Sequence, residues 1–163
     1  MPYAYTIVDS PVGRLKLVAS DAGLAAILWQ DDDPKRVPLG AMVEDKDNLI
    51  LRETARQLAA YFDGRLTRFT VPLDFQGTAF QKRVWAALLT IPFGETRSYG
   101  AIARAIGKPA ASRAVGAANG RNPISIIAPC HRVIGSNGAL TGFAGGLAAK
   151  ERLLEIERRA RAA

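Results

Sequence analysis

The first thirty residues hold three short runs of β-favouring residues, Tyr3 to Asp9, Arg14 to Ala19 and Leu24 to Gln30. Two turn clusters, Ser10-Pro11-Val12-Gly13 and Ser20-Asp21-Ala22-Gly23, separate them. Connections that short reverse the chain tightly, so the pattern predicts three antiparallel strands. Asp31-Asp32-Asp33-Pro34 opens a loop, read as solvated because the triplet lacks the spaced ligands of a calcium loop. The period then changes. Leu51, Ala55, Leu58 and Phe62 recur at helical intervals within Asn48 to Phe62, and Asp63-Gly64 ends that helix.

Val71 to Gly77, with Pro72, reads as a connection, after which the pattern is mainly helical. Thr78 caps a helix running to about Thr90, with Phe80, Val84, Trp85 and Leu88 on its apolar side and Pro92-Phe93-Gly94 closing it. Ser98 to Ile106 and Ala110 to Asn119 follow as two short helices across Gly107-Lys108-Pro109, a helix-turn-helix candidate. The second of the pair is built from Ala110, Ala111, Ser112, Ala114, Gly116, Ala117, Ala118 and Gly120, with Arg113 its one long side chain. Reading a base sequence in a major groove takes several long polar side chains, and this helix has too few. Its small residues fit either close packing on a neighbour or close approach to a groove without a sequence requirement.

Ile124 to Ala128 is an apolar run suited to a buried strand that delivers Pro129-Cys130-His131-Arg132-Val133 to a fixed place. Asn137-Gly138, within Val133 to Leu140, is the preferred pair for a two-residue hairpin turn and predicts a small β-wing. A final helix begins after Gly145-Gly146. Leu147, Leu153, Leu154 and Ile156 form its apolar arc, while Glu151, Arg152, Glu155, Arg158 and Arg159 fall opposite. Glu157 lies inside the apolar arc, where a carboxylate is costly unless it is paired.

With 163 residues, 48% hydrophobic and 23% charged, the chain can build one compact core or two small ones sharing an interface. Met1 to Ser10 has no basic start, and no stretch reaches the roughly 18 apolar residues of a membrane span, so a cytoplasmic protein without membrane contact is expected. One cysteine and one histidine exclude an internal disulfide and leave no cage for a structural metal, so metal-free chemistry is expected. Charge is uneven. Residues 1–74 carry 9 Lys and Arg against 11 Asp and Glu, whereas residues 75–163 carry 13 against 4. Between Glu95 and Glu151 no acidic residue occurs, while Arg97, Arg104, Lys108, Arg113, Arg121, Arg132 and Lys150 all do. A long segment of one sign points to a polyanionic partner, with nucleic acid leading.

A free cysteine is only a few per cent thiolate at neutral pH, so a nucleophilic Cys130 needs a base or a positive field. His131 can be that base through a turn or a bridging water, because neighbours on an extended chain face opposite ways. Glu157 is the residue to orient the imidazole. The alternatives are that Cys130 is a small buried hydrophobe and that Glu157 forms a structural bridge to Lys150 or an arginine. Non-enzymatic DNA binding, and Cys-His hydrolase or thiol oxidoreductase chemistry, remain as other classes, the last without a resolving cysteine.

Taken together, Pro129-Cys130-His131-Arg132-Val133-Ile134, Gly138, Gly142-Phe143, Gly145-Gly146, Lys150, Leu153-Leu154 and Glu157 resemble the signature of the O6-alkylguanine-DNA alkyltransferases. Phe80-Gln81, Val84-Trp85, Ile91-Pro92, Gly94-Glu95-Thr96, Tyr99, Arg113-Ala114-Val115-Gly116 and Asn122-Pro123 are similar to the same family's helix-turn-helix region. The resemblance implies an α/β plus mainly α fold. A ribonuclease-H-like α/β domain with a three-stranded antiparallel sheet occupies residues 1–74, and a winged helix-turn-helix domain residues 75–163. It implies irreversible, stoichiometric transfer of a methyl or other alkyl group from O6 of guanine in DNA to Cys130, with O4 of thymine as an alternative substrate.

The same resemblance assigns roles. Glu157 orients His131, which takes the Cys130 proton through a water, and Asn122 holds the turn before the cysteine. The protein binds double-stranded DNA in the minor groove as a monomer and flips the damaged nucleotide. Arg113 fills the vacated space, with Ser98 and Ala114 among the DNA contacts. Tyr99 presses on a phosphate and donates to the guanine. Backbone carbonyls of Cys130 and Val133 accept from its amine, and the backbone N–H of Ala144 meets O6. Phe143 and Ala144 replace residues that are Tyr in many and Ser in some relatives, which bears on alkyl size. No cofactor is implied, and the N-terminal cysteines that bind zinc in some relatives are missing.

Overall fold

A computed structural model describes residues 2–162. β1 (Tyr3–Val8), β2 (Leu15–Ala19) and β3 (Leu24–Trp29) form the expected antiparallel meander, with Tyr5 opposite Val18 and Leu17 opposite Ile27. A fourth strand, β4 (Met42–Glu44), adds to it in parallel with β1, giving the order β3-β2-β1-β4. The sheet is thus four-stranded and mixed rather than three-stranded and antiparallel. Three residues carry no periodicity to read; β4 exists because the open edge of β1 needs backbone partners, as in Tyr3 N–H to Ala41 O and Asp45 N–H to Tyr5 O, both 2.9 Å.

The acidic loop is not uniformly solvated, because Asp32 turns inward. It accepts from Arg36 Nε and Nη2 at 2.7 Å each and from the Trp29 N–H. α1 (Leu49–Phe62) starts where Asn48 accepts from the Leu51 N–H. Its buried face is Leu51, Thr54, Leu58 and Tyr61, one step round from the Ala55 and Phe62 stripe. Thr54 can sit inside because its hydroxyl donates to Ile50 O of the preceding turn.

The connection at residues 71–74 runs along β3, with Leu24 N–H donating to Pro72 O and Asp74 N–H to Leu24 O. Gly23 makes that approach possible, since a Cβ there would stand 2.6 Å from Pro72 O. Beyond it come α2 (Ala79–Leu88), opened by a Thr78/Gln81 capping box, β5 (Arg97–Ser98), α3 (Tyr99–Ala105) and α4 (Ser112–Gly120). The three helices close on Val84, Trp85, Leu88, Ile102 and Val115, and Trp85 Nε1 donates to Ala118 O across them.

Ile124 to Ala128 is buried, as its composition requires, but it is not a strand. It coils through tight turns, with Ile127 N–H to Ser125 O and Ala128 N–H to Ile124 O, and it meets β3 through an isolated bridge from Ile124 to Ile27 and the Trp29 Nε1–H donated to Ser125 Oγ. Ile126 adopts φ 76°, a conformation that β-branched residues rarely take and that costs roughly 1–3 kcal/mol. Ile124, Ile126 and Ile127 pack into the core under the sheet, together with Ala149 and Leu153 of α5 (Leu147–Ala162), and this anchoring sustains the strain. The wing is likewise not a hairpin. β6 (Val133–Ile134) pairs in parallel with β5, while Asn137-Gly138 lies in a turn closed by Gly135 N–H to Ala139 O. On α5 the inward residues are Ala149, Lys150, Leu153, Leu154 and Glu157, and Leu147 is exposed.

Candidate active site

Cys130, His131 and Arg132 form one turn of 3-10 helix, buried throughout. That turn supplies what an extended chain could not, two neighbouring side chains that need not face opposite ways. Asn122 holds the approach. Its Nδ2 donates to Ala128 O at 2.8 Å and its Oδ1 accepts from the Ile124 N–H at 3.1 Å, so the loop before the cysteine closes on one side chain. Burial pushes the Cys130 thiol above its ordinary value, while the Asn122 side chain, the charges of Arg36 and Lys150, and Ser125 pull it back.

His131 is fully buried, with Nε2 2.6 Å from Glu157 Oε2. Burial holds the imidazole pKa below its usual value, against the pull of Glu157. Burial alone would raise the Glu157 carboxyl, but His131 and Arg132 outweigh it and bring it to about 2. An ionised carboxylate only accepts, so Nε2 carries the proton and Nδ1 keeps its lone pair. Nδ1 is buried without a protein partner.

Glu157 has more partners than the sequence suggested. Arg132 Nε and Nη2 donate to its two oxygens at 2.8 and 3.0 Å, Tyr61 Oη donates to Oε2 at 2.6 Å, and the Gly94 N–H reaches Oε1 at 3.2 Å. The contact with the imidazole and the bridge to an arginine therefore coexist on one carboxylate. Lys150 does not bridge to Glu157; its buried Nζ donates to Val133 O at 2.7 Å and leans on Thr141. Arg132 and Lys150 thus leave the set of cations available to an outside polyanion, whereas Arg104, Lys108, Arg113 and Arg121 are exposed.

The remaining sequence-derived residues lie on two nearby elements. Ser98 caps α3 by accepting from the Ala101 N–H, and the Tyr99 hydroxyl bonds Thr141 in the loop after β6. Arg113 and Ala114 are exposed on α4, and Gly116 of the same helix faces the Tyr99 ring. Val133 O already accepts from Lys150, and Cys130 O from the Val133 N–H, leaving each carbonyl one lone pair. Phe143 packs edge-on against Trp29 at 5.3 Å, and Ala144 is exposed. Gly145 cannot carry a side chain here, since a Cβ would meet the Trp29 ring at 2.7 Å. Sequence reasoning missed Tyr61, Arg36 and Thr141 because each acts across a long gap in the chain. Arg36, for example, donates to Asn122 O at 2.8 Å from 86 positions away.

A ribonuclease-like α/β half joined to a helix-turn-helix half, with one cysteine beside a carboxylate-held histidine, defines the class. Family models described as the 6-O-methylguanine DNA methyltransferase ribonuclease-like domain and DNA binding domain match residues 3–75 and 79–159. A methylated-DNA–protein-cysteine methyltransferase of Methanosarcina acetivorans is 52% identical over 153 residues, covering 94% of this chain and 97% of that one. One of Mycolicibacterium paratuberculosis is 50% identical over 157 residues, covering 95% and 92%. A crystal structure of Mycobacterium tuberculosis OGT in complex with DNA superposes with a TM-score of 0.88 at 50% identity, covering 96% of this chain and 94% of that one. The chain belongs to the 6-O-methylguanine DNA methyltransferase family.

Proposed function

We propose that Cys130 is the acceptor in a single-use repair reaction and that His131, held by Glu157, removes its proton. The protein is a methylated-DNA–protein-cysteine methyltransferase, a DNA repair enzyme that transfers an alkyl group from DNA to a cysteine. The observation that carries the residue assignment is the pairing of the chain's one cysteine with its one histidine in a single turn, the imidazole fixed at 2.6 Å by an ionised carboxylate.

Because burial keeps His131 neutral at neutral pH, Nδ1 is free to accept the thiol proton through a water. The Cys130 thiolate, favoured by Lys150 and Arg36, attacks the alkyl carbon in line. The sulfur–carbon bond forms as the carbon–O6 bond breaks, the electron pair leaves with guanine, and guanine takes up one proton through the Tyr99 hydroxyl, which balances the one that His131 took from the thiol. The product thioether has no bond that water can readily cleave, so each molecule acts once. No step calls for a cofactor.

DNA is the partner, and the relative solved with DNA superposes over nearly the whole chain. In the finer reading, α4 enters the minor groove without reading sequence, and the nucleotide is flipped out, a step that costs least for a poorly paired base. Arg113 fills the gap, Ser98, Tyr99 and Ala114 hold the flanking backbone, and Val133, Phe143 and Ala144 line the base pocket. Residues 1–74 frame the relay and residues 75–163 carry DNA and acceptor, in a monomer working in a reducing compartment such as the cytoplasm.

The test is a mass measurement. After exposure to DNA carrying O6-methylguanine, the tryptic peptide Asn122 to Arg132 gains one methylene per protein molecule. An unmodified peptide beside intact O6-methylguanine overturns the assignment.

A further inference from the structure

Tyr61 is fully buried on α1, on the opposite half of the chain from the cysteine, and its hydroxyl donates to Glu157 Oε2 at 2.6 Å. That is the same oxygen that receives His131 Nε2 at 2.6 Å and Arg132 Nη2 at 3.0 Å. Its ring is held edge-on by Phe62 and Phe93, at 5.3 and 6.1 Å, so the hydroxyl has little freedom to point elsewhere. Stability alone does not require this arrangement, because Arg132 already satisfies both oxygens and a phenylalanine would fill the same space.

We propose, on the reading that His131 is the base for Cys130, that Tyr61 is a positioning residue of the transfer reaction. Its hydroxyl fixes Oε2 and shares its negative charge, so that Glu157 aims the imidazole without drawing a second proton onto it. A carboxylate relieved of one strong donor is more negative toward its remaining partners. Removing the Tyr61 hydroxyl therefore strengthens the pull of Oε2 on a doubly protonated imidazole. The groups facing His131 and Glu157 are Tyr61 from α1, Arg132 from the 3-10 turn, Lys150 from α5 and the Gly94 N–H from the turn before β5. Of these, only Tyr61 can be altered without removing a charge or moving the backbone.

The chain's one histidine makes the test direct, because every imidazole resonance belongs to His131. Imidazole nitrogen NMR and methyl transfer from O6-methylguanine DNA are followed against pH for the whole protein and for Tyr61→Phe, with thermal melting of both. The expected result is an imidazole midpoint about half a unit higher in Tyr61→Phe, with the acid limb of the transfer rate moving with it. At any fixed pH on that limb the variant is then about threefold slower. An unchanged midpoint overturns the proposal whether the rate holds or falls uniformly with melting temperature, since either result makes Tyr61 a packing residue. Failure of the unaltered protein to gain a methyl group is a separate result, which overturns the reading of Cys130 instead.

Discussion

The Arg132 guanidinium spans both oxygens of Glu157, with Nε 2.8 Å from Oε1 and Nη2 3.0 Å from Oε2. The residue next to His131 thus neutralises the carboxylate that holds the imidazole. A permanent cation keeps Glu157 ionised whichever state His131 adopts. The imidazole can therefore gain or lose a proton without the carboxylate following it.

Glu157→Gln tests that arrangement. The amide can still bond His131, but it leaves the Arg132 charge buried without a counter-charge, which costs about 3 kcal/mol. Transfer slows by about a hundredfold, the lower range for a disabled base, while DNA affinity stays nearly intact because Glu157 is far inside the surface. Melting, single-turnover transfer and DNA titration measure the three effects; an unchanged transfer rate would remove Glu157 from the relay.

Stability should follow pH with a defined sign. Glu157 falls from 4.5 to about 2 on folding, so its contribution of about 3 kcal/mol is complete above pH 4.5 and is lost as pH falls toward 2. His131 is held below 6.5, so the unfolded chain takes up that proton first and stability also declines as pH drops below 6.5. Cys130 is raised above 9, so its contribution is complete below pH 9 and is lost at higher pH. Denaturant unfolding should show a plateau from about pH 7 to about pH 9. Rising stability below pH 6 would contradict the buried neutral imidazole.

Asn122→Ala removes the two hydrogen bonds that close the loop before Cys130. The buried Ile124 N–H loses its partner, at about 1–3 kcal/mol, and Ala128 O keeps only the Cys130 N–H. The thiol, deprived of the Asn122 side chain, moves further up, so alkylation by a small thiol reagent slows at pH 8. An equal or faster thiol reaction would show that Asn122 does not favour the thiolate.

Arg113 is exposed on α4. Arg113→Ala should leave reaction with a free O6-alkylguanine base unchanged and slow repair of duplex DNA by about tenfold, since only the duplex requires a base to be extruded. Equal losses on both substrates would argue against Arg113 as the residue that fills the gap.

Local signals were legible in the chain. Asn48, Thr78 and Ser98 cap their helices by bonds spanning three residues, and the turn clusters around Pro11 and Gly23 separate strands that pair with their immediate neighbours. The Cys130-His131 pair and the inward Glu157 were also apparent, because they are a neighbour relationship and a break in helical periodicity. What misled was hydrophobicity without geometry. Ile124 to Ala128 is apolar enough for a strand, yet its neighbours in space impose a coiled path and a positive φ at Ile126.

The amino-acid sequence by itself determined which residues could do chemistry here: one thiol, one imidazole beside it and one carboxylate on a buried helix face. Only tertiary structure decided how they are wired, because the bonds to that carboxylate span 96 positions to Tyr61, 63 to Gly94 and 26 to His131. Caps and turns form among residues already adjacent, so composition encodes them directly. Partners brought together by chain folding leave no mark at fixed spacing, and burial of Arg132 and Lys150 became visible only when the core closed around them.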